Sequence, residues 1–332
     1  MRLIVYTLLG GLSFLLYGCS SSTLALGDAT SVVVIAPDSV WDAVEDSVRA
    51  VLESRVYTVR DERMFDLTHV APTDPDWGRL RVWKQVLVIG RPDDPWVQPA
   101  LPRTLPADGE LIESQDVWAR GQTVAVLTVP DEAAAADRTL EMLPELKEFF
   151  TRRYLEYVRS RMFTSGADTA LRTMLRDEAG FSVLVPNIYE WRREGESIYR
   201  FANTNITGGR IDRSVLVTWR DGADRAPTVD ELLDWRDEIA RTLYPWEQVA
   251  DRERIDSRAL DGASAGSIEV NGAWTGTDPD FPMGGPFLSR AVVCPEQDRV
   301  YLIDAWLYAP SRGKYEYVLQ LETILNSFDC ES

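Results

Sequence analysis

The amino-acid sequence predicts an α+β protein in which a mixed α/β N-terminal half is followed by an antiparallel sheet with packed helices. In the first half, short continuous apolar runs such as 32–36 indicate strands that are buried on both faces. In the second half, apolar and polar residues alternate along the predicted strands, as they do over 215–219. These two patterns divide the chain into an α/β domain at 31–180, which ends in long helices, and a sheet-and-helix domain at 181–332.

The first half is predicted to begin with a strand, a helix and a second strand at 86–89. The helix is indicated by apolar positions that recur three and four residues apart, namely Val40, Trp41, Val44, Val48, Val51 and Leu52. Five prolines make 91–110 an extended surface loop. A hairpin that turns at 120–121 then joins strands at 117–118 and 123–129.

Helices close the first half. Asp131 begins a helical stretch that reaches residue 163, and Pro144 is expected to kink or split it. A second helix at 167–179 is expected to end at Gly180, because glycine readily adopts the left-handed conformation found just past a helix terminus.

The second half is predicted to begin with a strand at 181–185 and a hairpin at 189–201. A helix then starts at Thr228, whose spacing to Glu231 matches a capping box. The remaining elements are strands at 215–219, 267–275, 286–294 and 299–308, and a closing helix at 312–328.

The first residues have the pattern of a cleaved export signal. Arg2 precedes an apolar run over 3–17, which has about the length of a signal-peptide core and is too short to cross a membrane comfortably. No later stretch is apolar for long enough to predict a transmembrane helix. We therefore expect residues 1–18 to be removed.

The tetrapeptide at 16–19, Leu-Tyr-Gly-Cys, resembles the lipobox of bacterial lipoproteins. The resemblance implies lipid on Cys19, a tether over 19–30, and a location in the bacterial cell envelope. Ser20 after the cysteine favours the outer membrane, facing the periplasm, under the usual sorting rule. The alternative is an ordinary signal peptide with a stray cysteine.

The composition excludes some partners. The 332 residues carry a formal net charge of −18, which argues against nucleic acid and against docking on anionic lipid headgroups. Catalytic and cofactor motifs are also missing. A zinc site needs three or four clustered His, Cys or carboxylate ligands, but the chain has a single histidine, and its cysteines are assigned to lipid and to a possible bridge. Ser-His or Cys-His catalysis would have to use that histidine, His69, which lies in a strand-like pattern. We therefore expect no metal and no cofactor.

Carboxylates remain as candidate catalytic or binding groups, and Asp304 is the strongest single candidate among them. It interrupts an otherwise apolar strand, where a charge is costly unless it is paired. One interpretation is a structural ion pair with an arginine, with Arg290 on the preceding strand as the candidate. The other is the polar floor of a ligand cleft, with Glu269 as a second carboxylate.

The eleven tryptophans are mostly expected in the core, Trp274 and Trp306 among them. The loop over 277–287 is rich in Gly and Pro and carries Phe281 and Met283, which suits a recognition loop as well as plain loop packing. The candidate binding residues are therefore Glu269, Trp274, Phe281, Met283, Arg290 and Asp304.

Cys294 and Cys330 are predicted to form a disulfide. The strand after Cys294 should run about 30 Å away from its turn, and the closing helix should return over about 25 Å. These lengths nearly cancel, so Cys330 should arrive beside Cys294. The alternative is two unpaired thiols.

Two family resemblances follow from longer stretches of sequence. The chain resembles an uncharacterised family of envelope lipoproteins, known only as a domain of unknown function, at 31–36 with Trp41, 272–274, 284–287, 309–310 and 321–328. The second half is similar in element order to the Mog1/PsbP-like α/β/α sandwich, on its opening 181–186 and closing 324–328. Members of that fold mostly bind partners, which implies binding rather than catalysis.

The sequence thus favours a non-enzymatic binding or assembly module, anchored to a membrane through lipid on Cys19, that recognises an envelope protein or glycan. The alternative is a carboxylate-based hydrolase that acts on envelope material and uses residues such as Asp304 and Glu269. Two carboxylates within about 5–10 Å in one cleft would favour the enzyme.

Overall fold

The computed structural model describes residues 23–104, 111–205, 209–222, 225, 227–260, 266–278, 280, 282–310 and 312–330. Across these residues the chain forms seven α-helices and three β-sheets, which confirms the predicted α+β class. No helix in this part of the chain is both long enough and apolar enough to span a bilayer.

The first half is built on a five-stranded sheet. Its elements are β1 Ser31–Ile35, α1 Asp38–Leu52, β2 Arg55–Tyr57, β3 Asp61–Arg63, β4 Asp66–Val70, α2 Trp77–Leu80, β5 Gln85–Gly90, β6 Leu111–Gln115, β7 Thr123–Thr128, α3 Glu132–Glu141 and α4 Leu143–Met162. The strand order is β4-β1-β5-β7-β6, with β6 antiparallel to its parallel neighbours. β2 and β3 form a separate hairpin.

Both faces of this sheet are covered, which explains the continuous apolar runs of β1 and β5. The helices α1, α3 and α4 pack on one face. The other face is covered by α2 and by loops that carry several half-buried tryptophans. Pro144 lies in the first turn of α4 and separates it from α3, as predicted.

The second half contains a seven-stranded sheet that is antiparallel throughout. Its elements are α5 Thr169–Ala179, β8 Glu190–Arg193, β9 Ile198–Asn205, β10 Ile211–Asp221, α6 Val229–Leu243, β11 Val249–Ala259, β12 Ile268–Thr275, β13 Gly284–Cys294, β14 Arg299–Tyr308 and α7 Tyr315–Leu325. The strand order is β11-β12-β13-β14-β10-β9-β8. α6 packs on one face, and α5 and α7 pack on the other.

Three local features differ from the sequence prediction. The hairpin before α3 has its first strand at β6, not at 117–118. The segment 181–185, predicted as a strand, does not join the sheet. Ser182 instead forms an isolated β-bridge with Asp329 near the end of the chain. The strand β11 was not predicted, since its sequence is dominated by charged residues.

The division of the chain also differs in detail. α5 was assigned to the first half, but Leu171, Leu175 and Ala179 pack in the core of the second. Residues 23–26, assigned to the tether, are held to the first half by backbone hydrogen bonds.

The two halves meet where α7 packs beside α4. Glu62, on the β2–β3 hairpin, accepts hydrogen bonds from the backbone N–H groups of Lys314 and Tyr315 at 2.8–3.0 Å. A carboxylate from the first half therefore caps the amino end of α7, where the helix dipole favours negative charge.

Candidate functional site: the central cleft

A cleft of about 840 Å³, here called the central cleft, opens between the two halves. Its walls from the first half come mainly from the β2–β3 hairpin and α4. Its walls from the second half come from β11, β12, β13 and α7. The residues that line it include Tyr57, Lys147, Glu253, Arg254, Asp256, Arg258, Glu269, Asn271, Gly272 and Glu322.

The floor of the central cleft holds a buried carboxylate with two arginine partners. Glu269 is 1% exposed. Its Oε2 accepts a hydrogen bond from Arg290 Nε at 2.6 Å, and its Oε1 lies 2.8 Å from Arg258 Nη2. Asn271 Nδ2 also donates to Oε1, at 3.2 Å. Both oxygens of Glu269 are thus engaged.

A second carboxylate lies beside this group. Arg258 Nη2 is 3.8 Å from Glu322 Oε1 on α7, so one guanidinium bridges Glu269 and Glu322. Arg290 extends the network in the other direction by donating to Asn326 Oδ1 at 2.7 Å. Two carboxylates and two guanidinium groups therefore form one connected cluster, in which Glu269, Glu322 and Arg258 line the cleft and Arg290 is buried behind Glu269.

The two carboxylates have pKa shifts of opposite sign. Burial pushes the pKa of Glu269 upward, but the charges and hydrogen bonds of Arg290 and Arg258 outweigh it and leave that pKa below its usual value. Burial, and then the negative charge of Glu269, raise the pKa of Glu322. Glu269 is held ionised, whereas Glu322 is more easily protonated.

The lip of the cleft is an irregular edge of the second sheet. Four residues of β11, at 251–254, stand opposite a single residue of β12, which makes a large bulge. Gly272 on β12 permits this packing, because a Cβ there would lie 2.6 Å from Ile255 Cδ1. Across the cleft, Arg254 Nη1 donates to the Tyr57 hydroxyl at 3.3 Å.

The structure places Asp304 elsewhere, and the predicted Asp304–Arg290 pair is wrong. In the register of β13 with β14, Asp304 lies opposite Ser289, and Arg290 lies opposite Ile303. Because side chains alternate between the two faces of a sheet, Arg290 faces α7 and Asp304 faces α6. For the same reason Asp304 and Glu269, the predicted hydrolase pair, lie on opposite faces.

The partner of Asp304 is Arg236 on α6. Both side chains are fully buried, and Arg236 Nε is 3.1 Å from Asp304 Oδ1. Tyr244 Oη donates to Asp304 Oδ2 at 2.7 Å, and Ser289 Oγ also hydrogen-bonds this carboxylate. Burial, followed by the charge of Asp304, raises the pKa of Tyr244. This network fastens α6 to the sheet and does not open to the central cleft.

Of the candidate residues at 274–283, Trp274 and Met283 belong to the α6 side. Trp274 is fully buried, donates to the carbonyl of Leu307 at 3.2 Å, and stacks against Trp246. Met283 is half-buried in the same apolar cluster. Phe281 lies outside the described residues. Gly285 beside Trp274 has no space for a Cβ, which would lie 1.7 Å from the carbonyl oxygen of Leu307.

Cys294 and Cys330 lie at disulfide distance, with their Cα atoms 6.4 Å apart. This is within the range that a disulfide needs. Cys19 lies outside the described residues. His69 stacks on Trp41 with ring centroids 4.8 Å apart, and its Nε2 lies 3.0 Å from the carbonyl of Ala36. The described residues contain no cluster of three potential metal ligands.

Comparison with protein families gives two matches, which together extend over most of the chain. Residues 25–163 match DUF8532, and residues 168–327 match DUF4837, each described as a domain of unknown function. Both matched regions thus resemble families to which no function is assigned. The matches meet between α4 and α5, and the central cleft lies between the two matched regions. No curated protein matches the chain.

Solved structures of Mog1 share a distant likeness with this protein. A point mutant of the protein Mog1 is 11% identical, and the Saccharomyces cerevisiae Ran-binding protein Mog1p is 12% identical. Each comparison covers 46% of this chain and 90% of that chain, with a TM-score of 0.32. A likeness of this size supports no inference about function.

Sequence reasoning identified Glu269 and Arg290 but missed Arg258 and Glu322. Arg258 lies on β11, whose charged sequence gave no strand signal. Glu322 lies on α7 within a helix recognised only by its apolar stripe. Only the packing of α7 beside β12 and β13 brings these four residues together.

Proposed function

We propose that the protein is a lipid-anchored envelope module that binds an extended segment of an envelope polypeptide in the central cleft. One observation carries the proposal: β11, the terminal strand of the seven-stranded sheet, runs along a cleft of about 840 Å³. Ligand sites commonly have volumes of roughly 300–1,000 Å³.

The chemistry of the lip supports a peptide ligand. An edge strand presents backbone N–H and C=O groups that an added strand can pair with. Beside that backbone lie side chains of both signs, Glu253 and Asp256 together with Arg254 and Arg258. A peptide offers a complementary backbone and can carry complementary side chains.

A site-specific crosslink tests the binding site. A benzophenone amino acid in place of Asp256 should give a discrete crosslinked protein in envelope membranes, and Arg258→Ala should reduce its yield. The matched control replaces Arg192, an exposed residue on β8 at the opposite edge of the same sheet. Equal adducts from both positions, or none from position 256, would contradict the proposal.

Anchoring through Cys19 has its own test. Cys19→Ala removes the thiol that would receive lipid, so the protein should move to the soluble fraction or remain as an uncleaved precursor. Fractionation and the mass of the mature chain measure this. Normal processing together with membrane retention in the variant would refute the lipid anchor.

The hydrolase is a second candidate, because neighbouring carboxylates with opposite pKa shifts are typical of acid–base pairs. In this reading Glu322 would be the general acid, and Glu269 the ionised partner. Against it, both oxygens of Glu269 are engaged with arginine side chains and are poorly placed to attack.

An assay for turnover of cell-wall material distinguishes the hydrolase from the binding module. If the protein is a hydrolase, purified protein should release fragments from cell-wall material, and Glu322→Gln should abolish the release. If it is a binding module, no fragments should appear. Glu238→Gln, on the exposed side of α6, is the matched control.

A further inference from the structure

We infer that the pole of the first half where the chain emerges from its anchor is a membrane-contacting surface. This anchor pole consists of residues 23–28, 77–84 and 116–122, beside the amino ends of β5 and β7. The inference rests on the proposed lipid anchor and adds how the molecule meets the bilayer, namely by inserting side chains and not through the lipid alone.

The attachment of the chain at this pole is rigid. Thr23 O accepts from Arg120 N at 2.9 Å, and Ala25 N donates to Arg120 O at 2.9 Å. Leu26 pairs with Val82 and Lys84 through its own N–H and C=O, at 2.9 and 2.8 Å. The described chain is therefore fixed to the domain from its first residues.

The distance from the lipid to this pole is short. Cys19 precedes Thr23 by four residues, and four extended residues span at most about 14 Å. A lipid on Cys19 would thus hold the anchor pole within about 14 Å of the membrane surface. This end of the molecule faces the bilayer whenever the anchor is inserted.

Apolar side chains are exposed at this place. Leu24 is 59% exposed and Leu26 is 52% exposed, the highest values among the large hydrophobic residues that the structure describes. They are two residues apart in an extended segment, so they point to the same side. A lipid interface would remove the apolar surface of both side chains from water, which is favourable.

The surroundings of the two leucines also suit an interface. Trp77 at the start of α2, and Trp83 and Trp118 in the adjoining loops, are half-buried. Amphipathic indole rings favour the headgroup level. The anchor pole as a whole carries four basic residues, Arg79, Arg81, Lys84 and Arg120, against the two acidic residues Asp28 and Asp116. The pole is therefore weakly basic on a chain whose net charge is −18, although Arg79 is paired with Asp76 just outside it.

Lipid crosslinking tests this inference on the full lipidated chain. The protein is reconstituted in vesicles of phosphatidylethanolamine with a minority of phosphatidylglycerol, carrying a diazirine amino acid in place of Leu26. We expect phospholipid adducts many-fold above those from the same probe in place of Ile188, which is 48% exposed on the second half. Leu24→Asp should lower the yield at position 26, and Ile188→Asp should not.

Flotation of the vesicles separates the possible failures. Protein that floats but gives equal or no lipid adducts at the two positions overturns the membrane contact while leaving the anchor intact. Protein adducts at position 26 in place of lipid would show that a second copy covers the leucines, and would also overturn it. Protein that does not float overturns the anchor and, with it, the contact that depends on it.

Discussion

At the scale of single residues, the two buried carboxylates on the second sheet have different surroundings. Glu269 faces the central cleft and is shared between Arg258 and Arg290. Asp304 faces α6 and is held by Arg236, Tyr244 and Ser289. One carboxylate is placed to influence a ligand, and the other stabilises the packing of a helix.

Glu269→Gln should destabilise the fold by about 3–5 kcal/mol at neutral pH, because it leaves the buried Arg290 without its counter-charge. The folded-state pKa of Glu269 is lowered, so the stabilisation is present above the unfolded pKa and is lost as the pH falls through the folded one. The difference in free energy of unfolding between wild type and variant, measured by urea unfolding, should therefore shrink as the pH is lowered through the acid range.

Glu322→Gln is the matched control in the same cluster and should behave in the opposite way. The folded-state pKa of Glu322 is raised, so its ionised form weakens the fold at neutral pH and its protonated form does not. The variant should be as stable as wild type or more so at neutral pH, with no gain in acid. Equal losses in both variants would contradict the pKa assignments.

A double-mutant cycle tests the corrected pairing of Asp304. Asp304→Asn combined with Arg236→Met should show a coupling energy of about 1–3 kcal/mol, because the two side chains are in contact. The cycle of Asp304→Asn with Arg290→Met should show little coupling, since those side chains lie on opposite faces of the sheet. The reverse result would restore the pairing predicted from sequence.

At the scale of elements, the closing strand and helix return the chain to its starting point. β14 runs away from the turn after Cys294, and α7 brings the chain back across the sheet. The Cα atoms of Cys294 and Cys330 are consequently 6.4 Å apart after a separation of 36 residues. A bond here would fasten the chain end to β13.

Cys294→Ser should therefore lower the stability of the oxidised protein by about 3–4 kcal/mol, as expected for a loop of this length. Under reducing conditions the variant and the wild type should unfold alike. Mass spectrometry of the non-reduced protein provides the direct measurement. Two alkylatable thiols on Cys294 and Cys330 would contradict the bond.

At the scale of the whole molecule, the halves are joined through α7, which belongs to the second core yet begins against the first half. Its amino end is capped by Glu62, and Tyr315 packs against Tyr154 of α4 with ring centroids 5.6 Å apart. The central cleft depends on this joint, because its walls come from both halves.

Glu62→Ala should remove the cap of α7, at a cost of about 1 kcal/mol, and should loosen the joint between the halves. Calorimetry should show a first unfolding transition that is broader or lies at a lower temperature. Hydrogen exchange at the backbone amides of Lys314 and Tyr315 should become faster. Asp61→Ala, at the neighbouring exposed position, is the control. Unchanged exchange in the Glu62 variant would mean that the cap does not hold the joint.

The sequence by itself determined the elements whose signals are local. The apolar runs gave β1 and β5, the apolar spacing gave α1, and the capping box at Thr228 gave the start of α6. These signals are local because periodicity, caps and turns act over a few residues. The export signal and the lipobox are of the same local kind, and they remain predictions.

Tertiary structure alone decided the register and therefore the site. A one-residue error in register moves a side chain to the other face of the sheet, and no local pattern reveals whether Ser289 or Arg290 lies opposite Asp304. The strand β11 could not be predicted from sequence, because an exposed edge strand needs no alternation of apolar and polar residues. The cluster of Arg258, Glu269 and Glu322 exists because packing in three dimensions brings together residues whose separation in sequence carries no signal.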